Sequence, residues 1–343
     1  MVIISYYIKE SYLTELYHSK AFDFYFEGLD FGVLDIETTG LNPQNSAFIT
    51  GGILFYKEKI FEQYFVENLS EEKDVLEKFI ERLKHLDVIL TYNGQSFDIP
   101  FIMKRAKILG IDIEFKLPYN LDLYLVLNAH SYLRKFLPNL KQKTVENFMG
   151  LWTDRVDEIS GKESIDLYYS YLKTRDFRTR DIILLHNKDD VHQLSKLLPV
   201  IEKADFHKAM HCLGFMVKPS SPFIASNNLL NINKILINGK ELSALGNQGN
   251  LPINYSSFGN RESNFIINFN KSNGSFRIVI PLETFNGNLF LDARKFINTF
   301  KELENYSYFE KDFLILKVDN RINYLEANHF IKLFLNSLGE VKL

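Results

Sequence analysis

An apolar run that ends in two alternating acids, Leu34-Asp-Ile-Glu-Thr-Thr-Gly-Leu41, constrains this chain more than any other stretch. Side chains along a strand alternate between faces, so Asp35 and Glu37 share one face while Ile36 takes the other. Two neighbouring carboxylates at the end of a core strand repel each other and lose hydration. A hard divalent cation removes both penalties, because oxygen ligands suit Mg2+ or Mn2+. A solvated polar strand end fits the same spelling, so the pair read alone leaves both meanings open.

The surrounding pattern predicts a layered α/β arrangement. Phe31–Ile36 reads as a strand, Phe48–Lys57 and Ile60–Val66 as an antiparallel meander turning at 57–59, and Val88–Tyr92 as a short buried strand. Ser70 is placed to cap a helix with Glu71, Glu72 and Asp74 in its first turn, and Val75, Leu76, Phe79, Ile80, Leu83 and Leu86 keep helical spacing. Pro100–Leu109 is again helical, and helical patterns dominate to about Ala204. The first 30 residues have no clean period. Three strands, a helix, a strand and then helices indicate α/β layers rather than a barrel of alternating units.

The texture changes near residue 205: Asn occurs 9 times in the first 200 residues and 21 times in the last 143. Phe265–Phe269 and Phe276–Ile280 read as paired strands, Phe313–Val318 as another strand, and Glu326–Leu338 as an amphipathic helix. Pro219-Ser-Ser-Pro222 is the best linker signal. The expectation is a domain over 1–205 and a β-rich or α+β accessory domain over 206–343.

Composition excludes several classes. With 46% hydrophobic and 24% charged residues the chain is neither a disordered tail, a collagen-like fibre nor a disulfide scaffold. No apolar run approaches the roughly 18–20 residues of a membrane helix, and the first residues lack the basic flank and apolar core of a signal peptide. One cysteine, Cys212, suits a reducing, cytoplasmic setting.

Two further segments carry acids. In Leu90-Thr-Tyr-Asn-Gly-Gln-Ser-Phe-Asp-Ile-Pro-Phe101 a buried strand ends at Asn93-Gly94 and Asp98 enters the next helix. That is where open α/β folds bind ligands, although Asp98 also fits a helix cap. In His186-Asn-Lys-Asp-Asp-Val-His192 helical geometry separates the two acids. Asp190 shares the buried face with Ile183, Leu194, Leu197 and His186, whereas Asp189 falls with Gln193 and Lys196 on a polar, solvated side. An acid on an apolar stripe needs a partner, which His186 supplies as a hydrogen-bond neighbour or as a catalytic group.

Taken together, the three segments resemble the exonuclease motifs of the DEDD (DnaQ-like) 3′–5′ exonucleases, and their spelling looks most like the YprB-type bacterial branch. The resemblance covers about residues 30–200. It implies a ribonuclease H-like mixed sheet flanked by helices, and hydrolysis of phosphodiester bonds by a two-metal-ion mechanism with Mg2+ or Mn2+. It assigns the metal-binding acids as Asp35, Glu37, Asp98 and Asp190, and the 3′ end of single-stranded DNA or RNA as substrate, with no membrane partner. Thr38 and Leu41 would hold the terminal nucleotide, with Asn93 and Phe97 beside them. His186 stands four residues before Asp190, the position of the catalytic tyrosine in one class and one residue off the histidine of the other. A role with the attacking water is feasible at that spacing.

The phosphate partners would be bases near the cleft: Lys104, Arg105 and Lys107; Arg134, Lys135, Lys141 and Lys143; or the run from Lys173 to Arg180. Residues 1–200 hold 30 acids against 24 bases and residues 201–343 hold 13 against 16, so the later region is the net-positive one. It is a single-strand holder or a structural or protein-contact module. A nucleic-acid-binding or scaffolding protein on a nuclease fold and a structure-selective endonuclease are the competing functions. Four intact acids argue against the first, since a binding module has no need of negative charge beside phosphate.

Overall fold

The computed structural model describes residues 6–113, 115–151, 159–219, 228–249, 251–257, 265–296 and 298–338. The chain divides into two compact units, Met1–Ala204 and Asp205–Leu343.

The first unit is a six-stranded mixed sheet with helices. Its strands are β1 (Tyr6–Ser11), β2 (Phe31–Thr38), β3 (Phe48–Phe55), β4 (Ile60–Phe65), β5 (Val88–Thr91) and β6 (Tyr119–Asp122), in the order β1-β4-β3-β2-β5-β6. The meander β2-β3-β4 is antiparallel, as is β1 on β4, whereas β5 and β6 run parallel to β2. The helices are α1 (Lys20–Phe26), α2 (Glu72–Leu83), α3 (Asp98–Leu109), α4 (Leu123–His130), α5 (Leu133–Phe136), α6 (Gln142–Phe148), α7 (Gly161–Thr174) and α8 (Phe177–Leu197). Strand β6 interrupts the stretch whose pattern is helical. It is four residues long, and half of them are polar (Asn120, Asp122), so its pairing with β5 rather than a local pattern makes it a strand.

Leu34 and Ile36 of β2 join Val75, Leu76, Phe79, Ile80 and Leu83 of α2 and Phe101 and Ile102 of α3 in one core. Each such side chain contributes roughly 1.5–3 kcal/mol by leaving water. A second cluster contains Ile49 and Phe65 from the sheet with Tyr168, Tyr171, Ile183 and Leu184 of α7 and α8. The start of α2 departs from expectation. A 3-10 turn, Leu69–Glu71, precedes it and takes in Ser70, so Ser70 is not the cap, and Glu71 at the cap position makes no side-chain cap bond. Glu72 does stand in the first turn, and it has a further role there. It is buried, accepting the Phe48 N–H at 2.8 Å and the Arg105 guanidinium at 2.6 and 2.7 Å.

The second unit opens with α9 (Phe206–Leu213) and is β-rich. One antiparallel sheet holds β7 (Phe215–Val217), β8 (Leu230–Asn238), β9 (Glu241–Asn247), β10 (Tyr255–Ser256), β11 (Ile266–Asn270) and β12 (Ser275–Pro281), in the order β10-β11-β12-β9-β8-β7. A second contains β13 (Glu283–Phe285), β14 (Asn288–Asp292), β15 (Phe309–Glu310), β16 (Phe313–Val318) and β17 (Arg321–Ile322), and α10 (Tyr324–Asn336) follows. The hairpin joining β11 and β12 and the strand at β16 are where the sequence pattern puts them. Residues 220–222 of the linker signal lie outside the described residues. Among the described residues no helix is long and apolar enough to cross a membrane.

Candidate active site

Strand β2 delivers the first two acids. Asp35 is opposite Gly52 of β3 and Glu37 opposite Thr50, and the register then slips so that Thr38 meets Phe48. Such a bulge bends a strand and re-aims its side chains. On the other edge, pairing with β5 covers only Phe31–Val33. The Ile36 N–H beyond it is taken by the Asp98 carboxylate, at 3.3 Å, from the first residue of α3. Asp98 thereby joins the second motif to the first.

Helix α8 supplies the remaining groups. His186 Nε2 lies 3.4 Å from Glu37 Oε1 and 3.6 Å from Asp190 Oδ2, one turn further on. Asn187 donates through Nδ2 to the Asp35 carbonyl at 3.1 Å and to its carboxylate at 2.9 Å. Gln63 of β4 holds that amide in place, donating to Asn187 Oδ1 at 2.8 Å and to the Leu184 carbonyl at 2.9 Å. A Cβ at Gly52 would come within 2.8 Å of Asn187 Oδ1, so glycine there lets α8 approach the sheet. The start of α7 reaches the same place. A Cβ on Gly161 would lie 4.0 Å from Glu37 Oε2, and the buried Ser164 hydroxyl stands beside that carboxylate without closing a full hydrogen bond. A Ser160–Glu163 capping box forms this helix end, whose dipole favours a nearby anion.

The acids are strained electrostatically. Burial, then Asp190, Asp98 and Glu37, hold the Asp35 carboxyl well above its ordinary pKa, against the pull of Asn187. Burial pushes Glu37 up to about 8; His186 opposes this, while Asp190 and Asp98 add to it. Burial raises Asp98 to about 7 against its own amide and that of Ile36, and Asp122 and Asp190 add to the rise. These groups cannot all ionise near neutrality unless a cation joins them. The donor set fits one: ligand atoms of Glu37, His186 and Asp190 lie within 4.8 Å of one another, and Asp35 and Asp98 are electrostatically coupled to them. Carboxylate oxygens with one imidazole suit a hard divalent ion.

Residues 33–201 match the model of the RNase_H superfamily, over the sheet and helices that hold this cluster. They form an RNase_H-superfamily domain. Among curated proteins, 63 residues are 49% identical to a DNA polymerase of Methanocaldococcus jannaschii, covering 18% of this chain and 4% of that protein. A further match is 29% identical over 142 residues to a catalytic chain of DNA polymerase epsilon from Aspergillus fumigatus, covering 32% of this chain and 6% of that one. The chain therefore spans only a small part of the length of these relatives. Among solved structures, the family B DNA polymerase of Pyrobaculum calidifontis superimposes with a TM-score of 0.42 at 19% identity, over 53% of this chain and 28% of that one. Exonuclease I does so with a TM-score of 0.34 at 11% identity, over 64% and 55%.

Within the RNase_H-superfamily domain, the structure brings Asp35, Glu37, Asp98, His186 and Asp190 into one cluster. Asp189 requires a correction. It is buried, at 8% exposure, and so is Gln193, because α8 packs against β2, β3 and α7 and has little solvated side. Yet Asp190 acts electrostatically on Asp35, Glu37 and Asp98, whereas Asp189 acts on His192. Facing the cluster, not burial, separates the two acids.

The four residues assigned to the nucleotide differ. Leu41 is 82% exposed past the end of β2. Thr38 is buried with its hydroxyl donated to the Gly40 carbonyl at 2.9 Å, and Phe97 packs into the core. Asn93 is exposed at φ 65°, a left-handed conformation that asparagine tolerates. Its N–H is held by Asp122 at 2.9 Å, and the other oxygen of Asp122 takes the Gln95 N–H at 3.0 Å. Asp122 also caps α4 through Tyr124 and Leu125, so one buried carboxylate shapes the loop that delivers Asp98. The motif reading passed over Asn187, Gln63 and Asp122. Only Asp122 left a sequence signal, an acid just before an apolar helix.

Proposed function

We propose that this domain, residues 1–205, is a metal-dependent 3′–5′ exonuclease that hydrolyses phosphodiester bonds of single-stranded DNA or RNA, of the YprB-type branch, and that residues 206–343 are its accessory domain. The observation that carries this reading is one cluster in which Glu37 and Asp190 close on His186 and Asp35 and Asp98 lie within the field of the same acids, with Asp35, Glu37 and Asp98 held above their ordinary range by burial and then by their acidic neighbours. Two divalent ions, Mg2+ or Mn2+, bound by the four acids would neutralise them, acidify water and polarise the phosphodiester.

The chain's own groups divide the remaining work. Asn187 fixes Asp35 on β2, and the bond from the Ile36 N–H fixes Asp98 beside it. His186 holds or moves a proton at Nε2, where Glu37 and Asp190 fix the ring. Exposed Leu41 packs on the terminal base, and the Thr38–Gly40 bond steadies the turn that presents it. Exposed Asn93 lines the same pocket, with Phe97 behind it as support. An unpaired Cys212 accords with a cytoplasmic setting.

The test is degradation of end-labelled single-stranded DNA and RNA, with 3′ ends free or blocked, in Mg2+, Mn2+ or EDTA. Stepwise shortening from free 3′ ends that stops in EDTA is expected. Full activity in EDTA, or equal cleavage of blocked strands, rejects the reading.

A further inference from the structure

The three basic clusters of the first unit all keep exposed cations, Lys104 and Lys107 in the first and Lys173 and Arg178 in the third, and differ in the aromatic side chains beside them. Arg105 is committed to Glu72 and to the Pro43 carbonyl at 3.1 Å. Arg175 is held by the Glu67 carbonyl and the Asn68 side chain, and Arg180 by Asp181 and Glu67. In the third, Phe177, 60% exposed, lies beneath Arg180, whereas the middle cluster sets two rings beside exposed cations. Tyr132 and Phe136, at 70% and 78% exposure, are the two most exposed aromatic side chains among the described residues, and they flank exposed Arg134 and Lys135. Leu133, 5% exposed, roots this short helix in the core. Lys135 Nζ sits 5.2 Å over the Tyr132 ring, and Arg134 donates to the neutral Asn128 side chain at 3.2 Å. Neither contact neutralises a cation.

The segment that follows the strip is tied to the elements that bear the carboxylate cluster. Tyr92, at the end of β5, donates to the Leu140 carbonyl at 2.6 Å. Gln142 donates to the Asp190 carbonyl at 3.1 Å. The chain leaving Phe136 is thus pinned, four residues on, to the element that leads to Asp98, and then to the helix that bears Asp190. Four residues span at most roughly 14 Å.

We propose that Tyr132, Arg134, Lys135 and Phe136 form a stacking platform that holds single-stranded nucleic acid a few nucleotides from the end lying in the carboxylate cluster. The proposal rests on the nuclease reading and names the path of its substrate. Exposed rings accept any base face and flanking cations take the phosphates, which serves an enzyme that handles strands without regard to sequence. Rings left in water on a four-residue helix have no role in the core.

The test compares steady-state kinetics on a trinucleotide and a dodecamer, as DNA and as RNA. Tyr132→Ala with Phe136→Ala is expected to raise the dodecamer KM by about 5- to 150-fold, the range of one base stack. It should leave kcat and the trinucleotide unchanged, with DNA and RNA affected alike. Tyr132→Trp should keep dodecamer binding. Lys135→Gln should lower the slope of log affinity against log salt by about 0.7, one phosphate on a single strand. An unchanged dodecamer KM in the double variant overturns the platform and leaves the nuclease reading standing; the surface then faces a protein. A wild-type chain that degrades neither strand overturns both.

Discussion

The acid cluster of the first unit and the amides Gln248, Asn228 and Asn328 of the second bury polar groups in opposite ways. In the first, Asp35, Glu37 and Asp98 are each held above their ordinary range, by burial first and by neighbouring acids after it. In the second, these three amides close on backbone. Gln248 donates to the carbonyls of Ile253, Asn270 and Ser275 at 3.1 Å, and accepts the Ile253 N–H at 2.6 Å. Asn228 both donates to and accepts from Leu251, and Asn328 joins His211 to the His207 carbonyl. A satisfied buried amide stabilises the fold and leaves nothing for a ligand. Acids that repel one another do the reverse: they cost stability that a cation would restore. The difference separates a group of acids that a cation would relieve from amides that need no further partner.

The largest expected effect tests that division directly. Asp35→Ala or Asp190→Ala should abolish metal-dependent turnover while leaving the first unit at least as stable, because each removes repulsion. Gln248→Leu should act oppositely, costing about 1–3 kcal/mol by stranding its partners, with turnover unchanged. Thermal unfolding and nuclease assays on the same three proteins decide it. A destabilised Asp35→Ala, or a nuclease-dead Gln248→Leu, breaks the comparison.

Next comes acid sensitivity, to which burial makes His207, His211 and His329 of the second unit contribute, His211 with the largest shift. Burial lowers His211 to about 4, against the Asn328 bond that raises it, and the Tyr324 ring packs 5.0 Å away. The native state keeps this ring neutral, whereas the unfolded chain takes up a proton below about 6.5. Its contribution is therefore complete above pH 6.5 and is lost as pH falls towards 4, by about 3 kcal/mol in full. Hydrogen exchange of the amides in β7–β9 should accelerate across that window, and His211→Gln should flatten the change. Identical acid profiles for both proteins would remove His211 from the account.

How much of this was legible in the sequence follows from the range of the interactions. Asp35, Glu37 and Asp98 stand where strand alternation and a strand-to-helix junction put them, because both are local rules. Asn187 was not legible, since its meaning depends on Gly52 letting a helix approach and on Gln63 from another strand. Glu72 looked like a helix-dipole acid and is also a buried clamp for Arg105 and Phe48, contacts that local spacing cannot reveal. Strand β1, without a clean period, exists because β4 offers it an edge.

Asn187 gives the third prediction. As a positioning residue for Asp35, its replacement by alanine should lower turnover by about 10- to 100-fold, the usual scale for a group that orients a metal ligand. The Mn2+ concentration needed for half-maximal rate should rise as well. Gln63→Leu should do the same more weakly, and the two losses should not add, since they act through one amide. Full additivity, or a Mn2+ dependence untouched by Asn187→Ala, would reduce the pair to packing.

The smallest effect is expected at Asp189, a buried acid of the first unit that should behave like the buried groups of the second. It lies one residue before Asp190, yet its electrostatic partner is His192, whose ring packs on Tyr12 and Phe61. Asp189→Asn keeps the side chain's size and hydrogen-bonding atoms and removes only charge. It should leave turnover near that of the wild type, with a stability change of about 1 kcal/mol at most, typical of a substitution away from a strained site. Asp190→Asn removes charge from a group coupled to all three other acids and should abolish turnover. Measured side by side, the pair separates burial from orientation as the basis of function. If Asp189→Asn lost as much turnover as Asp190→Asn, α8 would present a different face to the cluster from the one that the His186 and Asn187 contacts define.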